Sequence, residues 1–479
     1  VASWWQDRYH GLACPDLNDR LLSPTEREHS VTGPASHGRR MRPVGASPRD
    51  QMMKEAINTS PSRRQVLRLA AMVTACAVAA KAPNAAEPLK GETSNSYVPA
   101  DGVSTFESVW QTVRDRFYDP RHNGLDWLAV RERYLPDVQR ATSQNSLARV
   151  INTMLSELHA SHTRFYTPDE PEYYQLADIF VGALRRRGLQ RAFPDGRISY
   201  PGIGIISGIE ATGRNTITGV IDGTPAQQAG LRAGDEIIAA DGTAFEPIGS
   251  FRGKVGKSVV LEVHRGASVT QIPVMPVDLE PTRMFLRGLE SSARVIESNG
   301  RRIGYVHVWC YAGYIYQRAL EHLLSQGALK DADALIWDLR DGWGGAQPEY
   351  LDLFNARAPT MQVTDQSGTT EFVNVKWRKP VAMLINGGTR SGKEVLAYGF
   401  KKYRLGELIG TRTEGAVLAA TAFLIGSGLL LLAVEDVRVD GERLEGVGVT
   451  PTIEVQAGAA SAGSDDPQLS RAVAVLSGT

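Results

Sequence analysis

A lone serine stands in Asn386-Gly-Gly-Thr-Arg-Ser391-Gly-Lys-Glu394, directly before an amphipathic stretch that runs as a helix to about Tyr403. The first N–H groups of a helix have no partner within it, and the helix dipole is positive at that end. An oxygen anion forming beside Ser391 would be stabilised there, which is the electrostatic half of nucleophilic hydrolysis. The same placement suits a plain N-cap serine, so the remaining chemistry has to come from elsewhere in the chain. Two histidines, His159 and His162, lie in Leu158-His-Ala-Ser-His-Thr163, with Ser161 beside the second. They are expected on one helix face, and a histidine titrates close enough to working pH to act as a general base. Lys393 follows Ser391 by two positions; that step turns about 200° around a helix and points it away from the serine.

The composition narrows what this chemistry could serve. The 479 residues leave room for about three domains, and 42% hydrophobic with 22% charged residues is an ordinary globular balance. With a net charge of zero there is no electrostatic footprint for nucleic acid. Cys14, Cys76 and Cys310 fit no zinc spacing and no disulfide framework. Neither a phosphate loop nor a dinucleotide fingerprint nor a metal-ligand cluster occurs, so no cofactor and no metal is expected.

Residues 1–60, rich in Arg, Pro, Ser and His, read as a disordered or over-extended N-terminus. Residues 61–86 hold Arg63-Arg64, an apolar run from Leu69 to Ala80 and a small-residue end, the pattern of an export signal. The arginine pair resembles a twin-arginine signal, which implies a periplasmic or secreted product. The run is short for a membrane span, so none is expected once the signal is removed. Translation from Met52 or Met53, and lipid attachment at Cys76 within Val73-Thr-Ala-Cys76, both stay open.

The rest divides by pattern. Residues 87–103 read as a linker. Residues 104–180 are helical, with Phe106, Val109, Trp110, Val113 and Phe117 at helical spacing, as are Leu147, Val150, Ile151, Met154 and Leu158. Residues 195–280 switch to short apolar runs between glycine turns. Within them Gly223-Thr-Pro-Ala-Gln-Gln-Ala-Gly-Leu-Arg-Ala-Gly-Asp-Glu-Ile237 resembles a PDZ domain, with residues 225–229 as its short helix. Gly202, Ile203, Gly204 and Ile205 match the carboxylate-binding loop of such domains, which implies that a peptide C-terminus binds there and adds as a strand. A PDZ domain that only packs or gates the site is the other reading. Residues 281–458 alternate strands (302–308, 334–339, 381–385) with helices (316–326, 348–355), an α/β core. The apolar run from Ala416 to Val434, interrupted by Gly426 and Gly428, reads as a buried hairpin. Residues 459–479 read as a C-terminal tail.

A helical segment, a PDZ domain and an α/β core with a serine at a helix start resemble the carboxyl-terminal processing (tail-specific) serine protease family. Trp337-Asp-Leu-Arg-Asp-Gly-Trp-Gly-Gly345 and Glu445-Gly-Val-Gly-Val-Thr-Pro451 match its motifs too. The expected fold class is therefore multi-domain α/β: an N-terminal helical segment, a PDZ-like β domain and an α/β protease core. One departure stands out. The lysine that the tail-specific members pair with their serine falls here on Ala416. The tricorn protease branch instead has a Ser-His pair where this chain has Ser161-His162. That resemblance implies Ser391 as nucleophile, His162 as general base, Ser161 orienting His162, and Glu445 holding Ser161. It places the oxyanion hole at the N–H of Gly392 with that of Gly344 or Gly345, where glycine lets a substrate backbone approach closely. Asp338 and Arg340 are expected to fix a strand end, with Arg340 holding a substrate carboxylate as the alternative. Trp309 and Trp343 read as packing or pocket wall. The function implied is an exported serine endopeptidase cutting unfolded or C-terminal protein segments, with a protein or peptide partner recruited or gated by the PDZ domain. The alternative is a catalytically inactive peptide- or ligand-binding module of the same fold, supported by the missing lysine; an esterase is a weaker third. Oligomeric state is open.

Overall fold

A computed structural model describes residues 99–209, 215–355, 357–457 and 466–478. The stretches expected as an over-extended N-terminus and an export signal, with Cys76, lie outside the described residues.

The first helix, Pro99–Arg116, begins inside the stretch expected as linker. It packs with Trp127–Arg140 and Gln144–Ser156 through Phe106, Val109, Val113, Val130, Val138, Ile151 and Met154. Asp126 caps the second helix by accepting from the Ala129 N–H, and Ser143 caps the third in a reciprocal box with Ser146. The third helix stops at Ser156, earlier than the apolar spacing suggested. His159 and His162 therefore lie on a turn, at φ 45° and 53°, and the shared helix face expected for them does not exist. The turn leads into a strand, Arg164–Tyr166, paired antiparallel with Gly428–Glu435, which pairs in turn with Ala419–Ile425. The apolar run at 416–434 is thus a hairpin. Alternation along it sends Leu430 and Leu432 into the helical core and Leu429 and Leu431 into a second cluster with Tyr173, Leu176 and Phe193.

The PDZ region forms a line of five antiparallel strands: Ile205–Ile209, Asn215–Val220, Glu236–Ala240, Val259–Arg265 and Ser268–Val274. The short helix Pro225–Gln228 covers a core of Ile203, Ile217, Leu231, Ile237, Leu261 and Val263. Ile205–Ile209 is at the sheet's edge. Tyr200–Gly202 and Val277–Leu279 pair separately where the chain enters and leaves.

The core is a six-stranded sheet in the order Arg294–Ser298, Arg301–His307, Ala334–Asp338, Val381–Ile385, Glu407–Gly410, Ile453–Glu454. All but the first pair are parallel. Both faces are covered, which is why the strands read as continuous apolar runs. Leu335, Trp337, Met383 and Ile385 face the helices Pro281–Ser292, Tyr314–Ser325 and Gly392–Lys402. Ala334, Ile336, Ala382 and Leu384 face the other way, onto Ala472 and Leu476. Those two belong to a helix, Pro467–Ser477, so the stretch expected as a tail is a cover of the sheet. That face would otherwise leave its apolar residues in water, and Asp466 caps the covering helix at Gln468 and Leu469. Residues 348–355, expected as an ordinary helix, form a 3-10 helix, Pro348–Phe354. No described helix is long and apolar enough to cross a membrane.

Candidate active site

In open parallel sheets ligands collect beyond the carboxyl ends of the strands. Here three adjacent strands end in loops 339–345, 386–391 and 411–418, and the residues singled out from the sequence converge on them. Ser391 closes the second loop at φ 57° and ψ −129°, a conformation costly for a non-glycine residue, just before the Gly392–Lys402 helix. Its N–H bonds to the Ala416 carbonyl at 2.8 Å and the Glu394 carboxylate at 3.1 Å. The site of the missing lysine thus carries a backbone contact to the serine.

Loop 339–345 lies against Ser391. A Cβ on Gly344 would stand 2.6 Å from the Ser391 Cβ, and one on Gly392 would stand 2.4 Å from the Ala346 nitrogen. Nothing larger than glycine fits at either position. Gly345, at φ 90°, turns against Ala312. Of the two expected partners for Gly392, Gly344 is thus the one in contact with the serine.

On the other side, the turn after the third helix presents Ser161 and His162. Ser161 Oγ donates to Glu445 Oε2 at 2.8 Å, and the Ser161 N–H donates to Oε1 at 3.0 Å. His162 Nδ1 lies 3.0 Å from Ser161 Oγ. Glu445 Oε2 also accepts the N–H groups of Val417 at 2.7 Å and Leu418 at 3.2 Å. Residues 416–418 therefore tie the carboxylate that holds Ser161 to the residue that holds Ser391. No hydrogen bond joins His162 to Ser391 among the described residues; such bonds in unliganded sites commonly tighten only with substrate. Burial and then the Arg390 guanidinium push the His162 pKa down to about 4, against the pull of Glu445, so the ring is neutral near pH 7. Part of the residue reaches solvent, but the ring itself is closely surrounded.

Two charged residues on the first turn of the Ser391 helix are fully buried, and sequence reasoning assigned them no such role. Glu394 accepts Thr413 Oγ1 at 2.6 Å and the N–H groups of Gly415 and Ala416 at 2.7 and 2.8 Å, besides that of Ser391. Ser391-x-x-Glu394 has capping-box spacing, the one signal that could have found it. Lys393 Nζ donates to the carbonyls of Asp341 at 2.7 Å and Trp309 at 3.4 Å, away from the serine as helix geometry predicts.

Arg340 is not available to a substrate. It pairs with buried Asp338 and with Asp466, joining strand to covering helix. Trp343 donates to Gln175 at 2.6 Å beneath the Arg390 guanidinium. Trp309 lies between core and PDZ region: its Nε1 donates to Asp222 at 3.1 Å, and its ring fills the space a side chain at Gly219 would need. In the PDZ loop Ile203 is a core residue, and the carbonyls of Ile203 and Gly204 accept from Ala226 and Ile221. This leaves Ile205–Ile209 as the edge a peptide strand could join. Among the described residues no group of three His, Cys, Asp or Glu is placed to hold a metal ion.

The model of peptidase family S41 matches residues 302–455, that of the tricorn protease C1 domain residues 103–156, and a PDZ domain model residues 216–265. The carboxyl-terminal-processing protease of Synechocystis sp. is 26% identical over 333 residues, 67% of this chain and 72% of that protein. Residues 302–455 thus carry a peptidase family S41 domain, and the chain is similar to carboxyl-terminal-processing serine proteases. Tricorn protease homolog 1 of Streptomyces coelicolor is also 26% identical, over 78% of this peptidase but only 35% of that longer protein. Among solved structures, the photosystem II D1 C-terminal processing protease aligns over 78% of this peptidase and 97% of its own chain, at 21% identity and a TM-score of 0.44. Nothing in these comparisons favours the inactive binding module.

Proposed function

We propose that this chain is an exported serine peptidase that cleaves unfolded or C-terminal protein segments, with Ser391 as nucleophile and His162 as its base. The observation that carries this is the direction of the bonds around Ser161. Glu445 accepts four donors and is an acceptor only; the Ser161 hydroxyl gives it its single proton and can then only accept from His162. Nδ1 must bear the hydrogen, which leaves the lone pair on Nε2 for Ser391.

Acylation then runs as follows. Ser391 Oγ attacks the scissile carbonyl carbon as its proton passes to Nε2, and the N–H groups of Gly392 and Gly344 receive the developing oxyanion. The imidazolium, steadied through Nδ1 by Ser161 and Glu445, gives its proton to the leaving amine. Water repeats the sequence on the acyl-enzyme. A substrate C-terminus adding to the Ile205–Ile209 edge would be the recruiting step. Export rests on the Arg63-Arg64 signal alone.

The test is labelling by a fluorophosphonate probe. Wild type should label, while Ser391→Ala and His162→Ala should not. A folded wild type that stays unlabelled, with and without residues 200–279, would sink the reading. Peptides with free and amidated C-termini test recruitment: equal KM for both would remove the PDZ domain from it.

A further inference from the structure

Lys393 is an oddity that the reaction above does not use. It is fully buried, and no ion pair to it occurs among the described residues. Its only acceptors there are two carbonyls, at a position where an apolar side chain of equal length would fill the space without the cost of burying charge.

The two carbonyls have a common address. Asp341, at φ 51°, and Gly342, at φ 72°, make the sharp turn that starts loop 339–345. The Trp309 carbonyl accepts the Trp343 N–H of the same loop at 2.8 Å, and the Tyr311 N–H returns to the Trp343 carbonyl at 3.1 Å. One ammonium therefore joins the Ser391 helix directly to Asp341 in the turn and, through the Trp309 carbonyl that also accepts the Trp343 N–H, indirectly to Trp343; the next residue along is Gly344, in contact with Ser391. Glu394 does the same on the opposite side, binding residues 413–416. Adjacent buried charges thus reach from one helical turn to the two loops that flank the nucleophile.

We propose that Lys393 is a positioning residue that holds the 341–345 loop against the Ser391 helix and so sets the second oxyanion donor, the Gly344 N–H. This rests on the reading of Ser391 as nucleophile. Burial pushes the Lys393 pKa down to about 8, with Cys310, Asp341 and Asp338 acting upward and Arg390 downward, so the group is charged at neutral pH. Its protons are then committed to the loop, and its charge adds to the positive potential beneath the oxyanion.

The experiment compares wild type, K393M and K393Q in the full chain by fluorophosphonate labelling rate, by kcat and KM on fluorescent casein, and by thermal melting. In K393M, kcat and labelling should fall about 100- to 1,000-fold, as when one oxyanion donor is removed, with KM within about threefold. K393Q, which keeps an amide donor, should fall less, and the acid limb of the pH profile should stay where it is in both. Unchanged kcat in a K393M that melts at or above wild type makes the lysine a space-filler and overturns the proposal. So does a wild-type acid limb near pH 8 with K393M at the Ser391→Ala background, because Lys393 would then be the base. Should K393M not fold, K393Q decides: unchanged kcat overturns the proposal, and a fall in kcat at constant KM supports it. A wild type that never labels removes the Ser391 reading and this one with it, whereas a labelling wild type with an equally reactive K393M removes only this one.

Discussion

Four donors point at the two oxygens of Glu445, and that crowding leaves the Ser161 hydroxyl one way to face. Glu445→Gln turns part of an acceptor into a donor among donors, and kcat should drop about 10- to 100-fold through loss of the right tautomer. Ser161→Ala should cost less, and both should leave KM near wild type. The pH profile gives a separate check. With His162 down at about 4, the ring stays neutral and competent well below pH 6.5, and kcat/KM should lose its base only near pH 4. Arg390→Gln removes a cation that disfavours imidazolium, so the acid limb should move to higher pH. The same shift bears on stability. The unfolded chain protonates this histidine near 6.5 and the folded one does not until about 4, so stability from this group is full above pH 6.5 and declines as pH falls between those values. Urea midpoints at pH 7 and 5 measure it, with His162→Gln showing the smaller change. Sequence alone could not join these residues: 284 positions separate Ser161 from Glu445, and no periodicity links them. Only likeness to a known protease branch picks them out. Helix geometry does say that Lys393 turns away from Ser391. It cannot say what Lys393 meets, because the carbonyls of Trp309 and Asp341 reach it from the segments that follow two other strands.

At the scale of elements, the covering helix Pro467–Ser477 is held both by apolar contact and by charge. Burial drives the Asp338 carboxyl upward, but the charge and hydrogen bonds of Arg340 outweigh it and keep the group well below the usual carboxylate range. Arg340→Ala would leave Asp338 buried without its guanidinium partner, with only Tyr305 and His307 beside it, for a loss of about 3 kcal/mol. Asp466→Ala, which removes the exposed end of the network and a helix cap, should cost about 1 kcal/mol. Chemical unfolding of both variants distinguishes these amounts. The strands of the sheet are legible as apolar runs because both faces are buried. This helix is harder to see: Leu469, Ala472 and Leu476 are few, and much of the need for them lies in distant strands (Leu384, for one). The turn holding His159 and His162 is obscured for a different reason. Leu158 is buried like the helical residues before it and continues their spacing, although the helix has ended at Ser156.

Across the whole molecule, the PDZ region meets the core at Trp309, whose indole reaches Asp222 and whose carbonyl serves loop 339–345. A strand bound at the Ile205–Ile209 edge would therefore extend a sheet that meets, at Trp309, the backbone shaping the site. Trp309→Phe, which keeps the ring but loses the bond to Asp222, should weaken the dependence of casein cleavage on an added C-terminal peptide while leaving labelling of Ser391 near wild type. An unchanged peptide response would separate the two regions functionally.

The wide spacing of Ser161 and Glu445 also has a meaning in time. A ribosome releases His162 long before it has made the carboxylate that gives the ring its orientation, and Ser391 emerges between the two. Until residue 445 is made, a growing copy holds a serine and a histidine with nothing to aim them. On the proposed mechanism, the peptidase activity would thereby be silent until Glu445 has been made. Chains ending at residue 440 should stay unlabelled even when the PDZ region within them has folded.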